Sequence, residues 1–187
     1  VWDNRRIPAK RINRRALSWI EQEREQPFFL FLNYLDTHRP YNVTPLAGEE
    51  EFAVGNSGVL LDQLYEQVMV RGEAPGELAE RLQQYYRRAL RNVDLAIGDL
   101  LDELKRLGLY DDTVIVLTSD HGEYFGEHGL VEHSKDLYQP AIAVPLVVKR
   151  PGQVEGRVVA ERLSLADLPD LVLDQLPTSL RERHGQR

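Results

Sequence analysis

Apolar residues recur along this chain with two periods, and the switch between them marks out the elements. From about Pro8 to Glu25, Ile12, Ala16, Trp19 and Ile20 fall at helical spacing, with Pro8 suited to an early helical position and Pro27 ending the run. Phe28-Phe29-Leu30-Phe31-Leu32-Asn33-Tyr34 is short, aromatic and almost continuously apolar, which predicts a buried strand. Between Asn42 and about Ser57 no period is sustained, and Pro45, Gly48 and Gly55 mark a loop. Leu60, Leu61, Leu64, Tyr65 and Val68 predict a short helix, broken at Arg71-Gly72 and Pro75-Gly76. The strongest signal is the next one: Leu78, Leu82, Tyr86, Ala89, Leu90, Val93, Ile97, Leu100, Leu101, Leu104 and Leu107 keep a 3.6-residue period for about eight turns. Gly108 is its natural C-terminal stop.

The period then changes. Val114-Ile115-Val116-Leu117 is four apolar residues, three of them β-branched, as in a strand buried on both faces. The segment from Tyr124 to Lys135 is too rich in glycine and polar residues for a regular element. Ala143 to Lys149 predicts another strand, with Pro145 near its start or at an edge. Val158-Val159-Ala160 reads as a short strand, and Ser164 as the N-cap of a helix through about Leu176, with Pro169 near its first turn. The tail from Pro177 to Arg187 is polar. Strands alternating with helices predict an α/β fold, a mainly parallel sheet with helices on both faces.

Composition narrows the function. The chain has 187 residues, room for one domain with a real core. Its formal charge of −7 argues against a general nucleic-acid binder. The basic residues crowd one place, Arg5, Arg6, Lys10, Arg11, Arg14 and Arg15, and read as a solvated helix face. No run approaches the ~20 apolar residues of a membrane helix. There are no cysteines, so this chain holds no disulfide, thiolate metal site or cysteine nucleophile.

The candidate chemistry sits where strands stop. The Val114–Leu117 run ends in Thr118-Ser119-Asp120-His121-Gly122-Glu123, and the Phe28–Tyr34 run ends in Asp36-Thr37-His38-Arg39-Pro40-Tyr41. Ligands in open α/β sheets bind beyond the carboxyl ends of strands. Asp offers oxygen and His nitrogen, both suited to a divalent cation. A plain surface turn after a core strand looks the same, so Asp120-His121-Gly122 alone does not decide the matter.

The order of the motifs adds to this. Tyr85-Tyr86-Arg87-Arg88-Ala89-Leu90-Arg91-Asn92-Val93-Asp94, running through Gly98-Asp99-Leu100-Leu101 to Ser119-Asp120-His121-Gly122-Glu123, resembles the sulfatase family of the alkaline-phosphatase-like superfamily. So do the strand ending in His38-Arg39-Pro40-Tyr41, the loop Gly126-Glu127-His128-Gly129 with Lys135-Asp136-Leu137-Tyr138, and the strand Val144-Pro145-Leu146-Val147-Val148. The resemblance covers residues 1–187 as a partial catalytic domain, strongest from about Ala9 to Leu176, with a polar tail over 177–187. It departs in one respect: no Cys/Ser-x-Pro-x-Arg signature is present, nor the family's early pair of metal-binding aspartates. The resemblance therefore implies an alkaline-phosphatase-like domain that is incomplete, its N-terminal part belonging upstream.

The resemblance also implies roles for single residues. Asp120 and His121 are ligands of one divalent cation, calcium first, with manganese or zinc admitted by the nitrogen ligand. His38 is catalytic, assisting the leaving oxygen or bonding the anion. Lys135 contacts the sulfate. His133 departs from the family, standing two before the lysine where many sulfatases have Gly, and is read as a further anion contact or, as in two-metal phosphodiesterases of the superfamily, a second-metal ligand. From their positions rather than the resemblance, His128 reads as structuring its loop, Asp94 at the edge of the long helix as structural, and His184 in the polar tail as without a role. The intact parent would hydrolyse an anionic small-molecule or glycan sulfate ester, the nucleophile lying outside this chain. The rival readings are a phosphodiesterase, phosphonate hydrolase or phosphoglycerol transferase on the same scaffold, and a non-catalytic remnant that binds an anion or a partner. Many relatives are exported, so an extracytoplasmic setting is expected.

Overall fold

The computed structural model describes residues 7–23, 25–41 and 56–176. The first helix, α1 (Ala9–Glu23), buries Ala9, Asn13, Ala16 and Ile20, a single stripe at i, i+4, i+7 and i+11. Its first turn has no capping side chain of its own. Instead Asp36, itself buried, accepts from the Ala9 amide at 3.1 Å through one oxygen and at 3.4 Å through the other. A carboxylate there meets both an orphan donor and the positive end of the helix dipole.

The second helix, α2 (Asn56–Tyr65), continues into a π turn over Glu66–Val70. The long period is realised as α3 (Gly76–Arg106), 31 residues, hence about 46 Å. It ends as the sequence predicts. Gly108 takes φ 70°, and the Gly108 and Leu109 amides close back onto the Lys105 and Leu104 carbonyls. The core lies between α2, α3 and Tyr41. It gathers Leu60, Leu61, Leu64, Val68, Ala79, Leu82, Tyr85 and Ala89, and it is closed by Phe125 and Val131 from a hairpin further along the chain.

The sheet differs from the expected one. The strands are β1 (Ile115–Thr118), β2 (Tyr124–Phe125), β3 (Val131–Glu132) and β4 (Leu146–Lys149). β1 pairs with β4 and β2 with β3, and both pairings are antiparallel. The parallel pairing expected from the sequence is not present among the described residues. A parallel return needs a crossover that carries the chain back along the sheet. Residues 119–145 are spent instead on the β2–β3 hairpin and a one-turn helix, α4 (Gln139–Ile142), so the chain doubles back.

Residues 27–35 are extended but make no ladder among the described residues. Phe28, Leu30, Leu32 and Tyr34 are half-buried, while Phe29 and Phe31 are about four-fifths exposed. The aromatic run sets the backbone to extended, but a ladder needs a neighbour from elsewhere in the chain. The Val158–Ala160 strand is likewise absent, Val158 being fully exposed. The last helix, α5 (Leu168–Asp174), comes after a 3₁₀ turn at Leu165–Asp167 that Ser164 caps by accepting from the Ala166 amide, and it takes Pro169 in its first turn. The tail beyond Leu176 with His184, the first six residues with Arg5 and Arg6, and most of the loop read from Asn42 lie outside the described residues. Asn56 and Ser57, read as the end of that loop, open α2.

Candidate active site

Three loops converge at one end of the hairpin. The first leaves the extended segment and carries His38. It is anchored by Tyr41, fully buried, whose ring packs on Tyr86 of α3 at 5.4 Å and on Phe125 of β2 at 6.3 Å. Because Tyr86 and Phe125 also meet at 5.3 Å, one aromatic cluster fixes the His38 loop against both α3 and the hairpin. Burial first and the nearby Glu123 carboxylate second push the Tyr41 phenol far up, so it stays a neutral donor.

The second loop leaves β1 at Ser119. Its shape is set by short polar contacts. Ser119 Oγ donates to the His121 carbonyl at 2.8 Å, and Asp120 Oδ1 accepts from the His121 amide at 3.0 Å. Gly122 then runs against α4, with its amide on the Ala141 carbonyl at 2.7 Å. A Cβ at Gly122 would lie 2.0 Å from the Pro140 carbonyl oxygen, so only glycine fits this approach. The third loop leaves β3 and carries His133 and Lys135. Its far end is held by Tyr124, whose hydroxyl accepts from the Tyr138 amide at 3.0 Å.

The structure brings the three imidazoles together. The His121 and His133 rings stack with centroids 4.0 Å apart, and His38 meets His133 edge-on at 6.1 Å. Each ring is held by its Nδ1: His121 at 2.7 Å from the Gly122 carbonyl, His38 at 2.9 Å from the Arg39 carbonyl, and His133 at 2.9 Å from Glu123 Oε1. Carbonyls and carboxylates only accept, so Nδ1 carries the proton in all three, and in the neutral ring Nε2 is the basic nitrogen. His121 Nε2 lies 3.8 Å from Asp120 Oδ2. Asp120 is largely exposed, and among the described residues no third His, Asp or Glu completes a metal cluster with this pair.

Lys135 lies beside the cluster, its ammonium 3.7 Å from Glu132 and 5.6 Å over the Tyr65 ring. Arg39 bonds the same Glu132 at 2.9 Å. Two cations thus meet at one partly buried carboxylate, and Arg39 also reaches Asp62 at 3.5 Å. His128 lies elsewhere, stacked on Tyr138 at 3.9 Å. Sequence reasoning passed over Arg39, Tyr41 and Glu123 as chemistry, although all three stand inside the motifs it singled out. The cue was Glu123, a carboxylate two residues after a candidate ligand in an otherwise tight turn. The basic residues Arg11, Arg14 and Arg15, with Trp19, line a separate open cavity of about 450 Å³ on α1 that none of these site residues shares.

Comparison with known proteins gives the family. The family model described as Sulfatase matches residues 3–178. The chain is 28% identical over 171 residues to an endo-4-O-sulfatase of Bacteroides thetaiotaomicron, covering 87% of this chain and 32% of that protein. It is 29% identical over 178 residues to the human N-sulphoglucosamine sulphohydrolase, covering 88% and 34% respectively. A third relative, the extracellular sulfatase SULF-1 homolog of Drosophila melanogaster, is 37% identical over 87 residues, 46% of this chain and 8% of that protein. The chain spans about a third of the length of the first and second of these.

Proposed function

The chain belongs to the sulfatase family, and we propose that it supplies part of the active site of a metal-dependent sulfate ester hydrolase whose nucleophile lies outside these 187 residues. The observation that carries this reading is the convergence of His38, His121 and His133 from three loops, each ring anchored through Nδ1. The cation would be held by Asp120 and His121. The donor chemistry fits: the Gly122 carbonyl fixes the tautomer that leaves His121 Nε2 as a lone pair near the Asp120 carboxylate. One oxygen and one nitrogen admit calcium but equally manganese or zinc. When bound, such an ion neutralises charge on the ester oxygens.

The chain's own residues supply the rest. Lys135, beside Glu132, and Arg39, which pairs with Glu132 and Asp62, place cationic groups beside the imidazoles for the anionic group. His38 is exposed and anchored by Nδ1, so in its protonated form it can pass the Nε2 proton to the leaving oxygen. The substrates implied are anionic small-molecule or glycan sulfate esters, and the setting is extracytoplasmic. The chain alone, with no cysteine and no Cys/Ser-x-Pro-x-Arg signature, should show no turnover.

Kinetics of the intact parent over a series of esters with graded leaving groups test these roles. His38→Ala should hurt poor leaving groups most and activated aryl esters least, since the latter need little protonation. Lys135→Arg should keep part of the rate that Lys135→Ala loses. Metal content, checked in parallel, should fall only in Asp120→Asn. A uniform loss across the series for His38→Ala removes its role as proton donor. A parent that cleaves aryl phosphodiesters but no aryl sulfate overturns the reaction class.

A further inference from the structure

We propose that Glu123 is a positioning residue of this site: it grips His133 by the Nδ1–H and so decides which imidazole nitrogen the anion-handling loops receive. The consequence for catalysis rests on the proposed sulfatase site, but the geometry stands independently.

Glu123 is an unusual carboxylate. Its side chain is only 7% exposed and stands beside a site proposed to receive an anion. A buried carboxylate is costly unless hydrogen-bonded, and here its two oxygens have different partners. Oε1 takes the His133 Nδ1–H at 2.9 Å, and Oε2 takes the Tyr41 hydroxyl at 3.5 Å. Its backbone is fixed too, the Glu123 amide donating to the Pro140 carbonyl at 3.0 Å. Glu123 therefore acts as a strut from the β1 turn to the third loop.

His133, at the far end of the strut, is itself under constraint. It lies between Glu132 at φ 69° and Ser134 at φ 64°, both in the left-handed region and neither glycine. Such backbone persists only where the surroundings over-determine it, and it collects at functional sites. The ring is stacked on His121 within 28° of parallel. Stacking alone does not distinguish one ring nitrogen from the other. The Glu123 carboxylate does: Nδ1 is committed to it, and Nε2 is the atom the site receives.

The test is the tautomer, which a purely structural glutamate would not set. In the 187-residue protein labelled with ¹⁵N at histidine, long-range ¹H–¹⁵N correlation at a pH where the imidazoles are neutral should show His133 as the Nδ1–H form. Glu123→Gln should keep that form, because the carboxamide oxygen still accepts. Glu123→Ala should shift His133 toward the Nε2–H form while His121, held by the Gly122 carbonyl, does not change. Wild-type His133 in the Nε2–H form overturns the proposal, even where Glu123→Ala fails to fold, and so does an unchanged His133 tautomer in Glu123→Ala. In the intact parent, Glu123→Ala should lose about tenfold or more in kcat/KM, with Glu123→Gln recovering most of it. Loss of turnover with the tautomer intact overturns the positioning role. The expected tautomer pattern in a parent that hydrolyses no sulfate ester supports it and rejects the reaction class instead.

Discussion

At the scale of single residues, the turn after β1 shows how little freedom the site's frame has. Asp120 and His121 reach their places because Gly122 lets the backbone come within hydrogen-bond distance of α4. The Gly122 and Glu123 amides bond successive carbonyls there, those of Ala141 and Pro140. Gly122→Ala would set a methyl 2.0 Å from the Pro140 oxygen. The obstacle is backbone, which cannot rotate away as a side chain would. The expected loss of stability is at the upper end of about 1–3 kcal/mol, read from urea unfolding midpoints. An unchanged midpoint would mean that the turn and α4 are not in contact. The sequence made the Asp-His-Gly turn legible, because an apolar run ending in such residues is a local signal, although the strand itself is only half-buried. It did not make Glu123 legible as the partner of His133, because that contact joins residues ten apart across a hairpin whose glycine-rich sequence carries no period.

At the scale of elements, the helices could be read from the chain and the sheet could not. α1 and α3 arise from apolar spacing, and the stop of α3 at Gly108 and the Ser164 cap of the turn before α5 are local signals, displayed within a few residues. Ladders depend on partners far along the chain. The apolar run from Phe28 to Tyr34 is extended yet unladdered, and β1 finds β4 antiparallel rather than parallel. The extended segment is held by a polar contact that no period reports: Tyr34 donates to Asn13 Oδ1 at 2.7 Å, and Asn13 Nδ2 donates to the Ala96 carbonyl at 2.6 Å. One phenol thus ties the segment to α1, and through Asn13 to α3. Burial first and Asp36 second push the Tyr34 phenol up to about 12. Its folded value lies above the ordinary 10, so its contribution is complete below about pH 10 and is lost as pH rises toward 12. Thermal unfolding should show stability falling across that window. Tyr34→Phe should start lower, by about 1–3 kcal/mol for the buried Asn13 oxygen left unpaired. Its fall should be shallower but not absent, since Tyr41 and Tyr86 are pushed up as well. An identical pH profile in Tyr34→Phe would show that the phenol is not the group that ionises.

At the scale of the whole molecule, the core and the surface tell different stories. Around α2, α3 and the hairpin the packing is complete, with Leu61, Leu64, Leu82, Ala89 and Val131 fully buried. Elsewhere large apolar side chains meet solvent. Phe29 is 80% and Phe31 78% exposed, and the cross-strand pair Leu117 and Val147 is exposed on the sheet. Apolar area left in water costs about 25 cal/mol per Å², and an extended segment with no ladder offers free backbone groups to any strand that approaches. Both favour association, which the formal charge of −7 opposes. Sedimentation velocity should therefore show the weight-average mass rising above 21.5 kDa with protein concentration. The rise should steepen with added salt, which screens the repulsion, and as the pH falls toward the point where the net charge vanishes. Replacing Phe29 and Phe31 together by serine should restore the monomer with little change in unfolding midpoint, because neither ring contributes to the core. Should the double variant associate as strongly as the wild type, the adhesive surface lies on the sheet instead, and Leu117 and Val147 become the residues to change.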